Sequence, residues 1–451
     1  MRYLVSSFLL LKTLYKLKLD MGSIFSRLWD DVKAYTFGRR SNHRSEPNHP
    51  EKNPPIKVND DISIHTSETT QPILDDNSSK KQAQQPALLK DNKSVPIQCS
   101  RFYVACRNGD IKTVKQLLKI VPQDEIDQLE PNGSTALHAA AYHGHQQVVQ
   151  LLLDAGADRS IKNIYDNVPF DEAANDEVKE LFLRMPNANR LNIETGKIEW
   201  ETIDHDAIDS ASEERRLIQT IYETTSQEKM FEKIEQNYIR KGLIDCSKIT
   251  EIIHFFEKAT RNQDPIWIVK AYTTETDFYN ILNAEIALGA TKLQAERRYI
   301  IALLMYHQKL DHLSYTGFSY RVMKVTELDI DKYRINSLSQ TKSFLSSTVE
   351  EKIAIGFLCR QEIESEKKGI KDRTDKNGKI IKSWIMCKYH IKHRRSALHI
   401  ENSSQYVAEA EVLIMPYTVF KIKSKQLYHI KDIPQQERIW MFEFEECDEY
   451  I

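Results

Sequence analysis

Cysteine is scarce in this chain and never stands at metal-binding spacing. Six occur in 451 residues, Cys99, Cys106, Cys246, Cys359, Cys387 and Cys447, with no C-x-x-C among them. That usage argues against a zinc site and a dense disulfide framework, and it fits a reducing, cytoplasmic setting. An excess of charge is also missing. With 63 basic against 65 acidic residues the net charge is −2, so there is no global electrostatic case for a nucleic-acid partner. The locally basic run from Lys388 to Arg395 has no aromatic stacking motif and reads as a solvated strand edge and turn. His390, His393 and His399 lack cysteine partners there and read as ordinary surface or half-buried histidines, with no metal expected. Long apolar runs are absent too: the one from Tyr3 to Leu11 is too short to span a bilayer, and no small-residue cleavage site follows it.

A chain of this length should hold two or three domains. Residues 1–40 read as an N-terminal helical or targeting segment. Within it Met21-Gly22-Ser23-Ile24-Phe25-Ser26 fits the N-myristoylation pattern, which operates only if translation starts at Met21 and a terminal glycine is exposed. Membrane association is expected only in that case. Residues 41–98 are rich in Ser, Asn, Gln, Lys, Asp and Pro, a composition unable to bury enough surface to fold alone, and form a linker.

Order is expected from residue 101. The pattern Ala105, Gly109, Ile111, Val114, Leu117, Leu118 returns as Ala139, Gly144, Val148, Val149, Leu151, Leu152, close to a period of about 33 residues. Thr135-Ala-Leu137-His138-Ala139-Ala140 resembles the T-P-L-H-x-A signature of ankyrin repeats, and Ala155-Gly-Ala-Asp158 resembles the turn that closes one. A degenerate third copy starts at Val168-Pro169-Phe170, giving two to three repeats over 101–186. The resemblance makes His138 a structural residue bonded to backbone across the turn. It also puts Leu117, Leu118, Val148, Val149, Leu151 and Leu152 in the stack interior, with the Asn132-Gly133 tip, Tyr142 and His143 free for a protein partner.

Residues 187–248 carry an amphipathic stripe with Leu217, Ile218, Ile221, Tyr222, Met230, Phe231, Ile234 and Tyr238 at helical spacing, read as a helical bridge. The remaining segment, 249–451, is helical to about Leu313 and then turns to short alternating strands ending in Ile439-Trp440-Met441-Phe442. Helices followed by strands give an α+β domain, so the whole chain is multidomain: all-α repeats, then α+β.

Three short patterns in that last segment carry chemistry. Ser404-Gln-Tyr406-Val-Ala-Glu409-Ala-Glu411 leads into the apolar run Val412-Leu413-Ile414, and on a strand two carboxylates two apart project from one face. Upstream stand Tyr320-Arg321-Val322 and Phe344-Leu-Ser346-Ser347-Thr348. In this order they resemble the arginine-serine-glutamate signature of the mono-ADP-ribosyltransferases. Ala271-Tyr-Thr273, Phe278-Tyr279 and Ile281-Leu-Asn283 strengthen the likeness to the arginine-specific branch, which covers roughly 265–445. Val322 stands where that family commonly has glycine. The resemblance implies a helical lobe followed by a split β-sandwich.

It also implies transfer of ADP-ribose from NAD, the co-substrate, to arginine side chains of target proteins, with no metal. Arg321 would hold the diphosphate or adjacent ribose through its planar guanidinium. Ser346 would bond the nicotinamide ribose or the catalytic glutamate. Glu411 would stabilise the oxocarbenium-like transition state, and Glu409 would orient and help deprotonate the acceptor guanidinium. NAD binding thus falls to Arg321, Ser346 and Glu411. Tyr406 reads equally as part of a target-recognition loop or as an aromatic packed beneath it. The alternatives are an NAD glycohydrolase, which does not require Glu409, and an inactive ankyrin scaffold carrying the same fold.

Overall fold

The computed structural model describes residues 98–184, 200–202, 206–288, 295–368, 373–374, 380–381, 383–430 and 438–450. The Tyr3–Leu11 run, the Met21–Ser26 pattern and the linker up to Ile97 lie outside the described residues.

Three helix pairs open the described chain: α1 (Arg101–Arg107) with α2 (Ile111–Leu117), α3 (Ala136–Tyr142) with α4 (Gln146–Asp154), and α5 (Pro169–Glu172) with α6 (Asp176–Leu181). Their starts are fixed locally. The side chains of Ser100, Asp110, Thr135 and Asn175 accept from the N–H groups of Tyr103, Thr113, His138 and Val178, satisfying donors a helix cannot pair internally. Pro169 sits in the first turn of α5, where its missing N–H costs nothing. Val114, Val148, Val149, Leu152 and Val178 are fully buried between the pairs. Leu117, Leu118 and Leu151, expected beside them, only border this core, and Leu153 lies inside it instead. Leu117 is the last residue of α2 and Leu118 its C-cap, and on α4 the inward face runs Val148, Val149, Leu152 and Leu153 with Leu151 at its edge.

His138 is structural, as expected. Its Nδ1 lies 2.8 Å from Thr135 Oγ1 and its Nε2 3.0 Å from the Asn167 carbonyl of the next repeat. Tyr142 is exposed, but the Asn132-Gly133 tip is not wholly free. Gly133, at φ 75°, is buried under Ile164, whose Cγ2 would lie 2.1 Å from any Cβ added there.

The helices α7 (Ala207–Thr224), α8 (Gln227–Lys233), α9 (Ile249–Asn262), α10 (Ile266–Thr273), α11 (Phe278–Ala287) and α12 (Ala295–Tyr306) form the second body, with a π-helical turn at Ile234–Ile239. Ala211, Ile218, Phe231 and Tyr238 share one hydrophobic core with Phe256, Tyr272, Phe278 and Leu303, so the packing offers no boundary at 248. The segment read as a bridge is part of this helical lobe. Asn283 donates to the Tyr272 hydroxyl at 2.8 Å, joining two of the short patterns noted in the sequence.

Nine strands follow the order β1-β3-β8-β9-β5-β2-β4-β7-β6, where β1 is Trp200–Thr202, β2 Gly317–Val325, β3 Leu338–Thr341, β4 Leu345–Thr348, β5 Ser383–Ile391, β6 Ala397–His399, β7 Glu411–Ile414, β8 Val419–His429 and β9 Arg438–Glu446. β2 pairs with β5 along its whole length, from Gly317 opposite Ile391 to Val325 opposite Ser383. Its contact with β4 is a single pair, Tyr320 opposite Thr348. The sheet therefore opens between β2 and β4 and folds over on itself. Met323, Leu345, Tyr389, Val412, Phe420, Phe442 and Phe444 fill the space between its two halves. This is a helical lobe with a split β-sandwich, the α+β arrangement expected. A helix α13 (Glu351–Lys368) covers the outer face, where Ala354 and Leu358 pack on Val322 and Trp384.

Candidate active site

The split between β2 and β4 is where the sequence patterns converge. Val322 turns outward into the α13 packing, and side chains alternate along a strand, so Arg321 turns the other way. Arg321 is 3% exposed, and its Nη1 donates to the Ser346 carbonyl at 2.7 Å, tying β2 to β4 where the ladder has one residue pair. Ser346 and Thr348 share a face of β4, and the register sets Thr348 opposite Glu411. Ser346 and Glu411 therefore belong to one surface. Ser347 points to the opposite side, where its Oγ lies 2.9 Å from Ser319 Oγ and 3.1 Å from the Val412 carbonyl. Of the hydroxyl cluster, Ser347 staples strands through Ser319, and all three of Ser346, Ser347 and Thr348 line the cleft.

Glu411 opens β7 and is 3% exposed, with Ser404 Oγ 3.5 Å from its Oε2. Glu409 is not on that strand. It ends a 3-10 turn, Val407–Glu409, and Ala410 between the two glutamates is left-handed at φ 44°, ψ 49°. The expectation that both carboxylates leave one face of one strand is thus corrected, because a left-handed residue turns the chain between them. The turn nevertheless delivers both to one cleft of about 40 Å³, where Arg321, Ser346, Thr348, Glu409, Glu411 and Arg184 meet Tyr320, Val322, Ser347, Ala354 and Phe357.

Arg184 also lines this cleft, and none of the sequence patterns includes it. It follows α6, at the end of the ankyrin stack, and is 8% exposed. Its Nε and Nη2 donate to the two oxygens of Glu409 at 2.8 and 3.1 Å, and its Nη1 and Nη2 reach the Thr273 carbonyl at 3.2 Å. The guanidinium carbon lies 3.8 Å over the Tyr406 ring, and that of Arg159 lies 4.5 Å from the same ring. Burial opposes the Arg184 charge, but the carboxylate of Glu409 outweighs it and raises the pKa above the usual arginine value. Tyr406 is 2% exposed, with its hydroxyl donating to Glu275, so its ring is the floor beneath the guanidinium.

The ankyrin stack is docked on the loop that carries Glu409. Val407 is buried in the ankyrin core. Asp158, in the turn that closes the second repeat, accepts from Lys270 at 2.6 Å, Gln405 at 2.9 Å and Ser160 at 2.6 Å. Gln405 in turn accepts from the Arg159 N–H and donates its own N–H to Thr273 Oγ1. Burial alone would raise the Asp158 carboxyl, but the Lys270 ammonium beside it holds it down at about 2. Nothing in the sequence singles out Arg184 or Lys270. Each reads as an ordinary basic residue near a helix end, and only docking gives it a carboxylate. Among the described residues no cluster of three His, Cys, Asp or Glu is placed to hold a metal ion.

A model of ankyrin repeats, in three copies, matches residues 91–189. Oxysterol-binding protein-related protein 1 of Rattus norvegicus is 38% identical over 79 residues, which are 18% of this chain and 8% of that protein. The chain thus spans less than a tenth of that relative's length. Among solved structures, the type III effector XopAI of Xanthomonas axonopodis pv. citri aligns with 53% of this chain and 98% of its own at 11% identity and a TM-score of 0.31. The ADP-ribosyltransferase HopU1 of Pseudomonas syringae pv. Tomato DC3000 aligns with 48% of this chain and 87% of its own at 12% identity and a TM-score of 0.30. The ankyrin repeats are shown by the family model that matches residues 91–189.

Proposed function

We propose that the chain is an NAD-dependent ADP-ribosyltransferase that modifies arginine side chains of proteins. The observation that carries this reading is the convergence of Arg321, Ser346, Glu409 and Glu411 on one cleft, with Glu409 gripping a guanidinium through both oxygens. NAD enters as substrate. Arg321 offers an always-charged fork to its diphosphate or adjacent ribose, and Ser346 offers a hydroxyl to the nicotinamide ribose. The bond from ribose C1′ to the pyridinium nitrogen breaks, its electron pair leaving with neutral nicotinamide. Glu411, buried and preset, stabilises the positive charge that grows on the ribose. An acceptor guanidinium nitrogen held by Glu409 then bonds to C1′ and gives up its proton to that carboxylate. Two carboxylates at one glycosidic bond divide the labour as they do in glycoside hydrolysis.

The test is incubation of the full chain with labelled NAD and a generic arginine-rich acceptor protein, scoring label transfer and nicotinamide release separately. Transfer with release supports the reading. Release without transfer makes the chain an NAD glycohydrolase, and neither makes it an inactive scaffold. The ankyrin stack, which touches the recognition loop directly through Val407 and Asp158, is assigned the selection of protein partners for this reaction.

A further inference from the structure

Glu409 already holds a guanidinium, and that guanidinium belongs to the same chain. The seat has three walls, all from the second body: the Glu409 carboxylate, bonded at 2.8 and 3.1 Å, the Thr273 carbonyl at 3.2 Å, and the Tyr406 ring 3.8 Å away. A bidentate carboxylate combined with an aromatic floor is a general solution for gripping an arginine side chain. The occupant enters from the ankyrin side and lines the same cleft as Arg321, Ser346 and Glu411. Glu409 therefore has both of its oxygens engaged before any substrate arrives.

We propose that Arg184 is the resident ligand of the acceptor seat, a guanidinium of the ankyrin module bound where the arginine of a target must bind, so that every external acceptor has to displace it. This deepens the reading of Glu409 given above and rests on it. An isolated surface ion pair would be worth little, but this pair is buried, stacked and continuous with a docked interface. Asp158, bonded to Lys270 and Gln405, and Val407, buried in the ankyrin core, hold the stack over the loop that positions Glu409. Access for a protein arginine thus requires the end of the third repeat to leave the cleft.

Agmatine, a small guanidine, serves as the probe. Its binding to the full chain and to the Arg184→Gln and Arg184→Lys variants is measured by titration calorimetry, with nicotinamide release and agmatine modification assayed in parallel. The lysine variant keeps a positive charge beside Glu409 without the fork, and so covers the case in which the glutamine variant fails to fold. A folded variant should bind agmatine at least about tenfold more tightly than the unaltered chain, the factor expected when under a tenth of the molecules have an open seat. Adding Glu409→Gln should remove that gain. Equal or weaker binding in the variants overturns the proposal, and if the unaltered chain also modifies agmatine at that unchanged affinity, the transferase reading survives without it. A tenfold gain in chains that never release nicotinamide keeps the guanidinium seat and removes the transferase reading instead.

Discussion

Glu411 and Glu409 are both carboxylates, both buried and both at one cleft, yet the proposal gives them different work, and substitution separates them. Glu411→Gln keeps shape and removes charge, so both nicotinamide release and transfer should fall on the order of 100- to 1000-fold, the usual cost of losing one preorganised electrostatic group. Unchanged turnover in a folded Glu411→Gln protein would sink the site assignment. Glu409→Gln should suppress arginine transfer and spare slow NAD hydrolysis; equal loss of both activities would refute the division of labour. The same change leaves the Arg184 guanidinium buried without its carboxylate, at a cost of about 3–5 kcal/mol. A thermal melt of Glu409→Gln should therefore show a large loss of stability, and an unshifted melting temperature would contradict the buried pair. The identities of Arg321, Ser346, Glu409 and Glu411 were legible in the sequence because each lies inside a short ordered pattern. Arg184 was not, because a lone arginine after a degenerate repeat carries no pattern.

At the scale of elements, the turn between the two glutamates departs furthest from its sequence reading. Glu-x-Glu before Val412-Leu413-Ile414 looks like a strand entrance, and the strand does begin at Glu411, but Ala410 is left-handed. Alternation of side chains says nothing about a residue with positive φ, so period-two reasoning stops one residue too late. An alanine in that region costs about 1–2 kcal/mol, while glycine adds unfolded-chain entropy of about 0.4–1 kcal/mol. Ala410→Gly should therefore be neutral to stabilising by at most about 1.6 kcal/mol in denaturant titration. A clear loss of stability would mean that the methyl group, not the backbone, fixes this turn. The helices were more legible from their apolar spacing, and only Leu117, the last residue of α2, Leu118 after it, and Leu151 on α4 fell at the border of the core rather than inside it.

For the whole molecule, the joint between ankyrin stack and transferase body runs through Asp158. Its carboxyl is drawn down to about 2 by Lys270, well below the unfolded value of about 3.9. A depressed folded pKa means the unfolded chain takes up a proton first as pH falls. The stabilisation is thus full above about pH 4 and lost as pH drops toward 2. Asp158→Asn leaves Lys270 buried without its partner and should destabilise the docked molecule by about 3–5 kcal/mol at pH 7. Asp127, whose carboxyl is pushed up to about 7 by burial and by the neighbouring Asp158 charge, titrates with it, so the comparison is made with Asp127→Asn in both chains: there the gap should narrow as pH approaches 2, and a gap independent of pH would exclude the ion pair as its cause. Calorimetry of the unaltered chain should show the two bodies melting together, with Asp158→Asn separating an ankyrin transition from the other. Two transitions already present in the unaltered chain would mean that docking adds no cooperativity.

What the sequence determined by itself was everything with a local cause: the repeat helices and their period, the structural role of His138, the closing strand at Ile439-Trp440-Met441-Phe442, and the residue types gathered at the cleft. Those depend on neighbours within a few positions, or on a repeat of fixed period. The tertiary structure alone decided that residues 207–248 share the core of the helical lobe, that the two glutamates meet through a left-handed turn, and that Arg184 and Asp158 reach across from the ankyrin stack. Each of these joins groups far apart in the chain, Arg184 to Glu409 across 225 positions. No periodicity links such pairs. Only burial of both surfaces against one another makes a buried guanidinium and a buried carboxylate stable, and that is set by the docking of two folded bodies rather than by either stretch of sequence.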